Sequence, residues 1–589
     1  MNLLKLIRNY YKFIRIAIDA NLAFSLLLLL NALSNFTVIF FELNAVKNVT
    51  KALVYKDYAI FYSGVLPFII GAAIIKLLLS FISGSIHKNR QAFILSLEEH
   101  ILRKTMAISY ELLESPSFLA LKQRVDFSIH NQGLFENLIE CSIEFTQSLA
   151  IALSTFFIIS SSSFILFVFL CTFVIITALI RYRLNKFEVA IFHSLGDINR
   201  NYWYFGSLKD YYHRILDIKA NGFEKIIDEK FKNETNNINE IFKKYYSKKS
   251  KSLGLIAGLV SLQTLICTLW LGTKVIKGLI QISDFTYYFA AAMKFVSYLG
   301  QASESILDLQ RFCIFLDPVL ELLDFPEEVE GEGEVLSRID NLVFDNVSFR
   351  YPESKEDVIS NINFKFSSGN IISIVGENGA GKSTIVKLIC QLFNPSSGKI
   401  LYSGINKDRL SHYTINKHVS TIFQDFQLLG DSTVLENITA DACLDSEDRK
   451  NVIDKIMRIM SYLDFDESVR LEDRLGVGFK EGNVELSSGQ RQLVALLRAL
   501  YRETSIIILD EPTSNVDIRK EKAIFESLSR FKEDRIIILI SHRMSNVHYA
   551  DQVIYIHDGE IHDVGSHDEL FERCAGYRGL YTAQSVLYE

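Results

Sequence analysis

Six apolar segments, at about residues 16–41, 58–84, 141–160, 163–181, 253–280 and 284–306, crowd the first half of the 589-residue chain. Each is near or above the ~20 residues a helix needs to cross a bilayer. A chain with that much contiguous apolar sequence is expected to place six helices in a lipid bilayer. The third and fourth segments form one apolar block broken by "SSSS" at 160–163, read as a tight turn between two spans. The chain has only 7 prolines, so long helices are rarely interrupted. The start resembles a signal peptide, with positive charge before an apolar run. No small-residue cleavage site follows, however, and the run continues to about Phe41.

Lys and Arg set the expected orientation. Lys5, Arg8, Lys12 and Arg15 precede the first span, Lys88, Arg90, Arg103, Lys104, Lys122 and Arg124 fill the loop 85–140, and "KKYYSKKSK" ends the loop 182–252. The turn at 160–163 is uncharged and that at 281–284 carries only Asp284. The excess of positive charge on one side puts both termini and both long loops in the cytoplasm, as in a multi-pass cell-membrane protein. Lys47, Lys51 and Lys56 in the loop 42–57 run against that pattern without reversing it. A net charge of −7 gives no basic excess for nucleic acid. The seven cysteines are scattered, with no CxxC pair, and are read as reduced thiols.

Each long cytoplasmic segment reads as helical, and near its middle lies a short cluster of aromatic and charged residues, at 109–125 and at 204–225. Exposed aromatics grouped with charges suit docking to another domain. From 311 to 340 the composition shifts to a linker, ending in "PEEVEGEGEVLSRID". Residues 341–589 then alternate short apolar strands with helices, the pattern of an α/β domain with a largely parallel sheet. The expected organisation is therefore a membrane all-α six-helix domain over 1–310, a linker, and an α/β phosphate-loop domain.

The chemistry lies in that second domain. "GENGAGKST", which is Gly376, Glu377, Asn378, Gly379, Ala380, Gly381, Lys382, Ser383 and Thr384, follows the strand "NIISIV" and opens a helix. Glycines let backbone amides turn inward on phosphates, Lys382 neutralises their charge, and the Ser383 hydroxyl suits magnesium. In "SIIILDEPTS" a strand ends in Asp510, placed to orient the metal, and Glu511, placed to polarise an attacking water. His542 follows the strand "RIIILI" as a γ-phosphate contact, and Gln424 follows "STIF" as a sensor of metal and water. The cofactors implied are ATP and Mg2+.

Phosphate loop, Gln424, "LSSGQ", "ILDEPTS", "NVD" and "SHR" stand in the order and spacing of the ATP-binding cassette domain. The whole chain resembles an ABC exporter half-transporter. By that resemblance Tyr351 would stack on adenine, Asp517 would lie at the dimer seam, and the two clusters at 109–125 and 204–225 would be coupling helices. Ser487, Ser488, Gly489 and Gln490 would form the signature, which completes the ATP site of a partner. The signature departs from the usual form by carrying Ser488 where glycine is expected, while Gly489 is kept. The resemblance implies a dimer, with a homodimer favoured by the intact set Lys382, Asp510, Glu511 and His542, and a heterodimer open.

The approach "GVGFKEGNVELSSGQRQ" and the tail "HDGEIHDVGSHDELFERCAGYRGLY" are more similar to lanthipeptide and bacteriocin exporters than to multidrug or lipid exporters. The expected cargo is a ribosomally made peptide, with a multidrug or lipid exporter as the alternative, and a regulatory subunit that binds ATP without net transport as a third reading. No N-terminal peptidase domain is expected, since the spans begin by residue 16. Lys294, about ten residues into the sixth span, is expected to face the central cavity and meet an anionic or carbonyl-rich group. Lys76 is expected to snorkel toward the cytoplasmic end of the second span.

Overall fold

The computed structural model describes residues 8–15, 22–162, 164–194, 212–328, 333–352, 354–441, 445–463, 465, 469–476, 480, 482–541 and 543–585. Two compact units divide the chain. One comprises Met1–Ala107 and Leu119–Pro326, and the other Ile108–Phe118 and Glu327–Glu589.

The first unit is helical. Its long helices are α1 (Leu22–Tyr55), α2 (Leu66–Met106), α3 (Leu134–Ser162), α4 (Phe164–Ser194), α5 (Glu224–Ile276) and α6 (Ile282–Leu323). Among the described residues, five helical stretches, one within each of the first five or an extension of it, are long and apolar enough to cross a membrane. The sixth, α6, falls short on apolarity because Lys294, Tyr287, Tyr288 and Tyr298 interrupt it. Its buried side, with Ala291, Ala292 and Phe295, joins Leu43 of α1, Ile151 and Ile159 of α3, Leu170 of α4 and Leu271 of α5 in one core. Outward, by contrast, α2 exposes Ile70, Ile74, Leu77, Leu78 and Phe81, the surface expected to face lipid. The chain stays helical through Pro318 to Leu323, well into the stretch whose composition reads as linker.

The second unit has two sheets. One is antiparallel in the order β2 (Ile359–Ser367), β1 (Asn341–Phe349), β4 (Ser397–Tyr402), β5 (Ile405–Asn406). The other has the order β10 (Glu560–Gly565), β9 (Gln552–His557), β3 (Ile371–Gly376), β8 (Ile536–Ile540), β7 (Ile506–Asp510), β6 (Val419–Ile422). From β9 to β6 its strands run parallel, and β10 turns back antiparallel. Continuous runs such as "IIILD" and "IIILI" are buried at every position, as a parallel sheet covered on both faces requires. The antiparallel strands β2 and β4 do not stand out in the sequence reading, since their apolar residues are sparse and interrupted by Asn, Lys and Gly.

Register positions the site. Asp510 pairs with Ile540 of β8, and Ile540 pairs with Ile374 of β3, two residues before Gly376. Three carboxyl strand ends therefore lie side by side, where open α/β sheets bind ligands. Within the same unit, the Tyr110 ring stands 5.7 Å from Phe393, and Glu114 lies 3.7 Å from Lys387. The second aromatic cluster falls largely outside the described residues, which omit 204–211.

Candidate functional site: a nucleotide cleft and a charged cluster among the spans

A cleft of about 770 Å³ opens at those strand ends. Every residue from Gly376 to Thr384 lines it except Ala380, which is buried beneath. Gly379 and Gly381 adopt φ of +85° and +94°, left-handed conformations that glycine takes without strain. A Cβ on Gly376 would collide with the Ile556 carbonyl oxygen. Gly381 then caps α7 (Lys382–Ile389), whose first amides and dipole face the cleft.

Lys382 donates to the carbonyls of Gly376 at 2.8 Å and Glu377 at 2.7 Å, folded back along the loop it serves. Burial pulls its ammonium below the ordinary lysine range, against the opposing charges of Asp510 and Glu511. Ser383 donates to Asp510 at 3.1 Å. Burial first, and then the charges of Glu511 and Asp425, push the Asp510 carboxyl up to about 6, opposed by Ser383 and Lys382. A hydroxyl beside a destabilised carboxylate, with Gln424 on the same cleft wall, is the oxygen-rich set that suits a hard divalent cation such as Mg2+.

Glu511 lines the cleft with a φ of +51°, uncommon for a residue with a side chain. Such strain persists only where surrounding structure enforces it. The enforcing contacts are visible. The Glu511 N–H donates to Ile540 at 2.9 Å, and its carbonyl accepts from Gln492 Nε2 at 2.6 Å. Gln492, 2% exposed, also donates to Ser514 and accepts the N–H of Asn515 at 2.8 Å. It lies on α8 (Ser488–Tyr501), the helix opened by the signature. The sequence reading passed over Gln492. Its only signal is a polar residue on the apolar face of an amphipathic helix.

His542 lies outside the described residues. Its neighbours are held firmly: Arg543 donates to Glu521 at 2.5 Å, and Glu521, 6% exposed, also accepts from Thr513 and Asn546. Asp517 is an exposed N-cap of α9 (Ile518–Leu528). Tyr351 lies beside the phosphate loop. Its ring packs edge-on against Phe349 and Phe393, and its hydroxyl sits 3.1 Å from Thr384.

The signature also stands apart from the cleft. Ser487 and Gln490 form a reciprocal capping box at the start of α8, and Ser487 and Ser488 are exposed. None of the four signature residues lines the cleft of their own chain.

In the helical unit, Lys294 donates to Glu42 at 2.6 Å, so its anionic partner is an internal carboxylate. Lys76 also pairs with Glu42, at 2.6 Å, instead of merely snorkelling. Composition ended the first span at residue 41 and left Glu42 in a loop, whereas α1 continues as helix to Tyr55 and carries Glu42 between α2 and α6. Beside Lys76 opens a cavity of about 460 Å³ between α1, α2 and α3, lined by Asn31, Asn35, Arg90, Glu140 and Gln147 among others. Arg90 Nε is buried there without a hydrogen-bond partner.

Residues 359–514 match the ABC transporter family. The nisin transport ATP-binding protein NisT of Lactococcus lactis subsp. lactis is 28% identical over 506 residues, 82% of each chain. The subtilin transport ATP-binding protein SpaT of Bacillus subtilis is 32% identical over 53% of this chain and 51% of its own length. An ATP-dependent lipid A-core flippase of Haemophilus influenzae (strain 86-028NP) is 30% identical over 62% of this chain and 61% of its own. The chain thus spans about half to three-fifths of the last two relatives. A solved bacterial Atm1-family ABC exporter with ATP bound shares the fold, with a TM-score of 0.76 at 19% identity over 97% of this chain and 98% of that one. The expected fold class is borne out: residues 359–514 form an ABC transporter ATPase domain, and the whole chain shares the fold of an ABC exporter half-transporter.

Proposed function

We propose that two copies of this chain form an ATP-driven exporter that moves a ribosomally made peptide out of the cytoplasm, with both termini on the cytoplasmic side. One observation carries the dimer. The signature serines are exposed and absent from their own chain's cleft, so a phosphate contact from Ser487 and the Gly489 amide requires a second copy.

In this reading the backbone amides of Gly376–Thr384 and the Lys382 ammonium hold the triphosphate. Asp510, Ser383 and Gln424 would hold Mg2+, which draws charge from the leaving phosphate when bound. Glu511, fixed in a strained backbone by Ile540 and Gln492, accepts a proton from the attacking water. His542 contacts the γ-phosphate, and Tyr351, whose hydroxyl sits beside Thr384, stacks on adenine. Closure of the two ATPase domains is passed to the spans by the segments at 109–125 and 204–225.

Peptide cargo is supported by the similarity to NisT across 82% of both chains. It is also supported by the polar cavity beside Lys76, whose amides and charges of both signs suit a peptide backbone and its ionised ends. The likeness to lipid A-core flippases keeps a lipid as the second reading. Purified protein in liposomes tests both. ATPase activity should vanish in Glu511→Gln and rise with added cationic or lantibiotic-type peptides, whereas stimulation by lipids alone would replace this cargo with a lipid.

A further inference from the structure

The nucleotide cleft has a wall that no motif accounts for. Helix α10 (Ala575–Ser585), near the end of the chain, places Leu580 and Gln584 one turn apart on one face, and both line the cleft together with the phosphate loop and Glu511. Gln584 Oε1 accepts the N–H of Met544 at 2.9 Å. Met544, 2% exposed, opens the helical turn Met544–Tyr549 immediately after the segment 541–543. The two residues flanking that turn's entry are therefore gripped from two directions, Arg543 by Glu521 and Met544 by Gln584.

The helix itself is firmly seated. Tyr577, with no exposed surface, shares a core with Val375, the residue before the phosphate loop, and with Met544 and Val547. The Tyr577 hydroxyl lies 2.8 Å from His567 Nδ1, and that of Tyr581 lies 3.1 Å from His548 Nε2. Gly576 packs so closely that a Cβ there would stand 2.9 Å from the Tyr555 hydroxyl. An 11-residue helix is marginal alone. These contacts make its placement in the cleft a property of the fold.

We propose that α10 is a working part of the nucleotide site. Gln584 is a positioning residue that acts through the Met544 N–H on the turn Met544–Tyr549, which shares a core with Val375 just before the phosphate loop, and Leu580 is a wall that sets the fit of the triphosphate. The inference rests on the reading of this cleft as the ATP site. A glutamate at 584 keeps the acceptor for Met544 but turns a negative charge toward the phosphates, so the two functions of the side chain separate by substitution.

Steady-state ATPase kinetics of the full-length protein in liposomes, with binding of a fluorescent ATP analogue measured alongside, test this. Gln584→Ala should lower kcat about fivefold, the loss of about one hydrogen bond, with KM for ATP nearly unchanged. Gln584→Glu should keep kcat near wild type and raise KM, and Leu580→Ala should raise KM alone. Wild-type kcat and KM in Gln584→Ala would overturn the proposal, as would equal losses of kcat in the Ala and Glu variants. If Lys382→Ala abolishes analogue binding while the Gln584 and Leu580 variants behave as wild type, this inference alone falls. If Lys382→Ala binds the analogue normally, the cleft reading falls with it.

Discussion

A Cβ on Gly489 would stand 2.9 Å from the carbonyl oxygen of Asn515, closer than real side chains approach a backbone atom. The neighbouring Ser488 is exposed. The unusual serine in the signature therefore sits where a side chain has room, and the retained glycine sits where it has none. Gly489→Ala should reduce ATPase activity at least tenfold, because α8 or the loop after Glu511 must shift. Ser488→Gly should change it less than twofold. Both are read from turnover of the purified transporter at saturating ATP.

The strained Glu511 depends on Gln492. Gln492→Ala removes two hydrogen bonds to backbone groups on either side of the turn and leaves them buried, a loss of about 1–3 kcal/mol for an unsatisfied group. A fall in kcat of about tenfold or more is expected, with KM for ATP little changed, since the phosphate loop is untouched. A larger effect on KM than on kcat would show that Gln492 does not act through Glu511.

The Asp510 carboxyl is raised to about 6 by burial and neighbouring negative charge. A carboxyl whose folded value lies above its unfolded one stabilises the fold fully below the ordinary carboxylate range, and that contribution is lost as pH rises through about 6. Without nucleotide, Asp510→Asn should therefore be more stable than wild type to denaturant at pH 7.5, by on the order of 2–3 kcal/mol. The difference should close by pH 4. Hydrolysis should be abolished in the same variant, so stability and activity move in opposite directions.

Glu42 is shared by Lys76 and Lys294, so the three residues are not equivalent. Removing either lysine leaves a neutral pair. Removing Glu42 leaves two ammoniums facing each other between helices. Glu42→Gln should lower the melting temperature in detergent more than Lys76→Met or Lys294→Met, and adding Lys294→Met to Glu42→Gln should recover part of the loss. Scanning calorimetry or fluorescence-detected melting of the three single variants and the double checks the order.

Much of the nucleotide site was legible because phosphate chemistry fixes residue types over short stretches. Gly376–Thr384 is contiguous, and Asp510 with Glu511 closes a strand whose apolar run announces it. Residues that act from far along the chain carry no such local mark. Gln492 reaches the backbone around Glu511, and Leu580 and Gln584 the cleft, only because α8 and α10 fold back there, and each looks like an ordinary helical residue in sequence. Glu42 was hidden differently, since an acid at the edge of an apolar run reads as the end of a span until α2 and α6 supply its two lysines. Tyr351 is marked by its position alone, and the structure adds what the sequence does not show, the Phe349 and Phe393 rings packed edge-on against it.

Two ammoniums against one carboxylate give the Glu42 cluster one net positive charge among α1, α2 and α6. Carrying one charge through a full membrane potential costs or yields about 2.3 kcal/mol per 100 mV. Any part of that path travelled by Lys76 and Lys294 makes the turnover of the transporter respond to voltage, independently of the charge on its cargo.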